Sequence, residues 1–297
     1  MKFQIDIKKV IKLLAKDIYD SPYALLRENL QNAYDAVLMR KQADPSYTDE
    51  RIEITIEAGK VVIVDNGIGM TEATVENNYW KAGSSGKNTE EARRAGVVGT
   101  FGIGAMANFG VCNKLEVRSR YYASEQTIVT SADLESISLT EECINTSKLN
   151  DASLPIGTKV TAFLQAGYHM QENDALTYLN PFIQYLPIPV YFNGRLVSQH
   201  RYKDSVMIND VNSILCEKEV SARGITCHLT MKMLRHTNGL VSVFISNIYR
   251  NGIHLPGEIA LRQDMGTLYG YRNGFGLASI PVASNFRWGG AANLNTL

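Results

Sequence analysis

The sequence predicts an α+β chain of two domains, and three observations predict it. Two segments near the start carry apolar residues at helical spacing: Val10, Ile11, Leu13, Leu14 and Ile18, then Leu26, Leu30, Ala33 and Val37. Residues 51–57, RIEITIE, alternate apolar and polar, and after Ala58-Gly59 a second apolar run follows at 61–64, which reads as a hairpin. Beyond about residue 200 the text changes to strands separated by Asn-Gly turns. The 297 residues suffice for two domains, divided here as 1–200 and 201–297. The second is expected to be incomplete, because it stops at AANLNTL with no closing helix.

Composition narrows the class. Hydrophobic residues make up 45%, enough for packed cores. Lys plus Arg (30) balances Asp plus Glu (30), so no global field recruits nucleic acid or an anionic membrane, though a local basic patch is not excluded. Cys112, Cys143, Cys216 and Cys227 are scattered without a CxxC pair. That argues against a zinc site or a disulfide framework and fits a reducing, cytoplasmic setting. The N-terminus has no signal-peptide pattern and no run reaches membrane-spanning length.

The elements follow in order. Residues 3–7 alternate and read as a short strand. Ser21-Pro22 is a helix start, with Ser as N-cap and Pro in the first turn. The helix runs to about Gln42, where Asp44-Pro45-Ser46 breaks it. Within it Glu28, Asn32 and Asp35 fall on one face at spacings of four and three, while the Leu26 stripe faces a core. A carboxylate, an amide and a carboxylate in a protected row need a polar ligand or water; a surface helix with a mixed polar face is an equal reading of this stretch by itself.

Strand 61–64 ends at Asp65-Asn-Gly-Ile-Gly-Met70. An acid at the end of a buried strand can accept from an exocyclic amine, and the glycines let a flat ligand approach the backbone; taken singly, this also reads as an ordinary Asn-Gly turn. Thr71 caps a following helix. Residues 81–98, small and charged, form a lid candidate or a plain surface loop. Gly99, Gly102 and Gly104 precede a small-residue helix at 105–109 and offer backbone N–H groups to an anion. The spacing is neither that of a P-loop nor that of a dinucleotide fold. Strands follow at 114–120 and 127–131, then a polar loop through Asn150, a strand at 159–164 opened by Thr158, a helix at 174–185 and a strand at 188–192 before Asn193-Gly194. In the second domain, strands are expected at 225–233, 240–248 and 277–281, with turns at Asn251-Gly, Asn273-Gly and Arg287-Trp-Gly-Gly.

Four pieces therefore occur in one order: ENLQNAYDA, VDNGIGMT, GTFGIGA and GTKVTAFL, with Ser85-Gly-Lys between the second and third. Together they resemble the GHKL (Bergerat-fold) ATPase superfamily, and within it the ninety-kilodalton heat-shock chaperones of the bacterial HtpG-like branch, over roughly residues 3–195. The resemblance implies a two-layer α/β sandwich, a mixed, mainly antiparallel sheet covered by helices, followed by a second α/β domain. It implies ATP and Mg2+ as cofactors. Glu28 matches the general base. Asn32 matches the Mg2+ ligand, and Asp35 lies on the ribose and adenine side. Asp65 matches the adenine-recognising acid, with Gly69 and Met70 lining the base. Lys87 falls where the family often places a phosphate-facing cation. Gly99, Thr100, Phe101, Gly102, Ile103 and Gly104 match the triphosphate loop, and Thr158 the threonine that supports adenine through water.

The implied function is an ATP-hydrolysing chaperone with a gated lid, client proteins and N-terminal homodimerisation in the full-length protein. One departure stands out. No arginine aligns with the second-domain residue that reaches the γ-phosphate, although Arg250, Arg272 and Arg287 are present. Hydrolysis by this stretch is therefore expected to be slow or absent. Two other readings share the fold: a DNA-linked ATPase of the mismatch-repair or topoisomerase type, which the even charge balance disfavours, and a nucleotide-gated binding module.

Overall fold

The structure, a computed structural model, describes residues 9–10, 21–81, 108–138, 140–150, 155–234, 239–282, 285 and 287–294. The expected strand at 3–7, most of the first helix, and nearly all of the 81–98 lid candidate and the 99–104 loop lie outside them. The chain divides into two compact units, residues 1–180 with 188–197, and residues 181–187 with 198–297.

The first unit is built on a sheet of β1 (Ile52–Glu57), β2 (Lys60–Asp65), β3 (Cys112–Arg120), β4 (Gln126–Asp133), β5 (Ile144–Asn150), β6 (Gly157–Leu164), β7 (Val190–Phe192) and β8 (Arg195–Leu196), in the order β5-β4-β3-β6-β2-β1-β7-β8. Every neighbouring pair is antiparallel except β1 with β7, so the sheet is mixed and mainly antiparallel. Helix α1 (Ala24–Ala43) packs on β2, β1 and β6. It buries Leu26, Leu30, Ala33 and Val37, the apolar stripe read from the sequence, and Leu25 besides.

Local chemistry sets the element ends. Ser21 is not the N-cap expected of it: the cap position is Tyr23, with no side-chain cap bond, and Ser21 instead closes a tight turn ahead of the helix, its Oγ accepting from Tyr23 N at 3.2 Å and its carbonyl from Ala24 N at 3.0 Å. At the far end Asp44 is extended, and its Oδ1 accepts from Ser46 N at 3.1 Å, which terminates α1 ahead of Pro45. Thr71 Oγ1 accepts from Thr74 N at 3.2 Å and caps the short helix α2 (Glu72–Thr74), which continues as a π-turn over Val75–Tyr79. Trp80 then donates from Nε1 to Thr130 Oγ1 at 2.9 Å.

The polar loop expected through Asn150 contains a strand. β5 is exposed at all seven positions and forms the sheet edge, so it buries no apolar face that could announce it. Helix α3 (Glu172–Ile183) carries Pro181 within it. Among the described residues no helix is long and apolar enough to cross a membrane.

The second unit is mostly strand: β9 (Ile214–Ala222), β10 (Ile225–Met233), β11 (Val241–Arg250), β12 (Ile253–Leu255), β13 (Gly257–Arg262), β14 (Thr267–Arg272), β15 (Phe275–Pro281) and β16 (Gly289–Leu294). They run in the order β15-β14-β16-β13-β11-β10-β9, with β12 paired to β11. The short helix α4 (Tyr202–Val206) supplies Tyr202 and Val206 to a core with Phe244, Ala260, Tyr271 and Ala291. Tyr185, Tyr202 and Tyr271 stack there with ring centroids 4.1–5.4 Å apart. Asn251-Gly252 and Asn273-Gly274 form the expected turns, with φ of 50° and 80°, and 50° and 81°. The Arg287-Trp-Gly-Gly turn is shorter than expected: Arg287 has a positive φ, 47°, but Gly289 already opens β16.

Candidate functional site

The polar row on α1 is buried at one end, Asp35, and half-buried at Glu28 and Asn32. Asp35 is 0% exposed and its neighbour Tyr34 is also fully buried. Burial, with Asp35 beside it, pushes the Tyr34 hydroxyl well above its usual range. Asn32 and Glu28 are partly exposed. Arg27 donates to Glu28 Oε1 from Nη2 at 2.8 Å and from Nε at 3.3 Å.

Asp65 ends β2 at 6% exposure. Its Oδ1 accepts from Gly67 N at 2.8 Å, which closes the acidic turn on itself. Ile68 N donates to Ala36 O at 2.9 Å, joining that turn to α1 one residue beyond Asp35. Asn66 secures the outer side: its Oδ1 accepts from Tyr47 Oη at 2.6 Å and Arg51 N at 2.8 Å, and its Nδ2 donates to Asp49 O at 2.6 Å. Arg40 Nη1 donates to the Asn66 carbonyl at 2.6 Å, while its guanidinium lies 4.2 Å from the Tyr47 ring centroid.

Thr158 enters the same place through ladder register. It is the direct partner of Asp65 across β2–β6 and of Ser119 across β3–β6. Residues opposite one another in an antiparallel ladder present side chains to one face, so Asp65, Thr158 and Ser119 form a row over three strands. Ser119 Oγ lies 2.9 Å from Thr158 Oγ1 and accepts from Met70 N at 2.8 Å. Two glycines make the approach possible. Gly69 has φ +69°, and a Cβ there would overlap the Arg120 carbonyl oxygen. Gly157 has φ +117°, and a Cβ there would overlap the Asp65 carbonyl oxygen.

The structure thus brings Asp65, Gly69, Met70 and Thr158 together and ties their turn to the helix of Glu28, Asn32 and Asp35. Lys87, Gly99, Thr100, Phe101, Gly102, Ile103 and Gly104 lie outside the described residues. Two features were missed in the sequence. Ser119 occupies the inward phase of β3 after Leu115 and Val117, all three buried; a polar residue on the inward phase of a strand was the available signal. Asn29, 4% exposed, donates from Nδ2 to Leu25 O at 2.8 Å and to Asn108 Oδ1 at 2.6 Å, and Asn108 is 0% exposed. Seventy-nine positions separate this pair, so no local pattern discloses it.

The fold that sets Asp65 opposite Thr158, beside the helix of Glu28, Asn32 and Asp35, is consistent with an ATPase domain of the GHKL type. Residues 20–162, just under half of the chain, match the family described as histidine kinase-, DNA gyrase B-, and HSP90-like ATPase. Among curated proteins it is similar to chaperone protein HtpG of several bacteria. With that of Wolbachia pipientis wMel it is 28% identical over 194 residues, 59% of this chain and 29% of the relative. With that of Shouchella clausii (strain KSM-K16) it is 32% identical over 146 residues, 44% of this chain and 23% of the relative. With that of Campylobacter jejuni (strain RM1221) it is 25% identical over 234 residues, 71% of this chain and 37% of the relative. The chain therefore spans well under half the length of these relatives.

Proposed function

We propose that this chain binds ATP with Mg2+ and serves as the nucleotide-gated part of a cytoplasmic chaperone of the HtpG type. The observation that carries the reading is the Asp65–Thr158 ladder pair, held by the Ile68–Ala36 bond against the helix of Asn32 and Asp35.

The donor set fits the ligand. Asp65 and Thr158 offer oxygens to the amine edge of a purine, and adenine carries an amine where guanine carries a carbonyl. Gly69 and Met70 line the base, and Asp35 stands on the ribose side. Among the described residues no group of three or more His, Cys, Asp or Glu is arranged to hold a metal. Mg2+ is commonly held by one or two protein oxygens together with phosphate and water, and Asn32 would supply a neutral one. Bound Mg2+ neutralises phosphate charge. Glu28, one helical turn from Asn32, orients the attacking water and takes its proton on the carboxylate. The phosphate-binding roles given to Lys87 and to Gly99, Thr100, Phe101, Gly102, Ile103 and Gly104 rest on the sequence resemblance, and these residues lie outside the described ones.

In the whole protein, ATP closes the 81–98 segment over the pocket and pairs two N-terminal regions into a homodimer, and hydrolysis releases client proteins. Cleavage of that segment by protease, with and without a non-hydrolysable ATP analogue, tests the gating; an unchanged pattern overturns it. The site assignment is tested by Glu28→Ala. ATP binding should persist while phosphate release falls by about a hundredfold or more. Loss of binding in that variant would contradict the role given to Glu28.

A further inference from the structure

The buried hydroxyl of Ser119 sits behind Thr158, and its hydrogen bonds admit one proton assignment. Ser119 is 1% exposed, so bulk water does not reach it. It has three partners: Met70 N at 2.8 Å, Thr158 Oγ1 at 2.9 Å and the Gly157 carbonyl at 3.2 Å. A backbone N–H only donates, and a carbonyl only accepts. A serine has one proton to give, and the Gly157 carbonyl can only accept it. All three contacts are hydrogen bonds only if Thr158 donates to Ser119. The reverse direction leaves the Gly157 contact without a proton.

We propose that Ser119 is a specificity-determining positioning residue, which draws the Thr158 proton inward so that Thr158 offers only lone pairs beside the Asp65 carboxylate. The row Asp65–Thr158–Ser119 follows from ladder register, and Thr158 remains partly exposed at its outer side. The wall formed by Asp65 and Thr158 is then acceptor-only. A ligand, or a water between ligand and wall, must bring N–H or O–H donors to it. A 6-aminopurine does so; a 6-oxopurine presents a carbonyl to oxygens and is refused twice, once by Asp65 and once by a threonine that cannot turn to donate. This inference rests on the adenine-nucleotide reading above and adds the residue that enforces base choice without touching the base.

The test compares ATP with inosine triphosphate, which exchanges the 6-amino group for a 6-oxo group, by calorimetric titration of the full chain. Wild type should prefer ATP by about a hundredfold or more. Ser119→Ala frees Thr158 to rotate and donate, so the preference should fall by about tenfold, chiefly through tighter binding of inosine triphosphate. Ser119→Thr, which keeps the hydroxyl, should restore it. An equal loss of affinity for both nucleotides in Ser119→Ala would show a merely structural role and overturn the proposal. If Ser119→Ala does not fold, Thr158→Val decides: an unchanged ratio overturns the proposal, a reduced one supports it. Failure of wild type to bind ATP at all would instead overturn the adenine reading, and this inference with it.

Discussion

Ile68 donates its backbone N–H to the carbonyl of Ala36 at 2.9 Å, and that bond makes one body of two segments far apart in the chain. The acceptor follows Asp35 by one residue and the donor follows Asp65 by three. Gly67, next to the donor, leaves no room for a side chain: a Cβ there would fall 2.5–2.8 Å from atoms of Ala36 and Val37. Whatever fixes the acidic turn therefore also fixes it relative to Asn32 and Asp35.

Gly69 should be costly to replace. Gly69→Ala forces a Cβ onto the Arg120 carbonyl at a φ of +69°, and the strain should lower stability by about 2–4 kcal/mol. Gly59→Ala provides the control: its φ is +75° but nothing lies within 4 Å of the added carbon, so it should cost only about 1 kcal/mol. Urea denaturation of both variants measures the difference, and equal costs would refute the close approach.

The Asn29–Asn108 pair should show coupling. Asn29→Ala removes donors to Leu25 O and Asn108 Oδ1 inside the core and should cost about 1–3 kcal/mol. Asn108→Ala and the double variant complete a cycle. A coupling energy near zero in that cycle would mean that the bond does not hold the residue beside Glu28 to the segment entering β3.

In the second unit, Glu258 provides a pH signature. Burial raises its carboxyl above the ordinary range, partly offset by Lys203. A carboxyl raised in the fold disfavours its ionised form there. Its destabilising effect is therefore absent below the unfolded value of about 4.3, grows as pH rises through the folded value, and is complete above it. Glu258→Gln should stabilise the protein at pH 7 and be neutral near pH 3.5. Paired denaturation curves at the two pH values check this; a destabilised variant at pH 7 would contradict it.

Much of the first unit was legible because its signals are local. Alternation in 51–57 gave β1, the Leu26–Val37 stripe gave the buried side of α1, and Thr71 capped where its hydroxyl and spacing suggested. β5 escaped because an edge strand exposed on both faces carries no period-2 apolar pattern, only INTSKLN. Ser119 and the Asn29–Asn108 pair escaped for another reason. Their meaning lies in register between strands and in packing across the chain, and these exist only once the sheet is assembled. In the second unit, Asn-Gly turns revealed hairpins, while β9, almost wholly exposed, and the parallel pairing of β14 with β16 left no local trace.

Asp65 bears the heaviest load, and titration of nucleotide into the chain with Mg2+ tests it most directly. Asp65→Asn can keep the bond from Gly67 N through its remaining oxygen, so the variant should melt near wild type while presenting an amide donor where the purine brings another. One ATP should bind per wild-type chain, GTP should bind at least about a hundredfold more weakly, and Asp65→Asn should lose ATP binding by a similar factor. Equal isotherms for ATP and GTP, or undiminished ATP binding by Asp65→Asn, would contradict an adenine pocket between β2, β6 and α1.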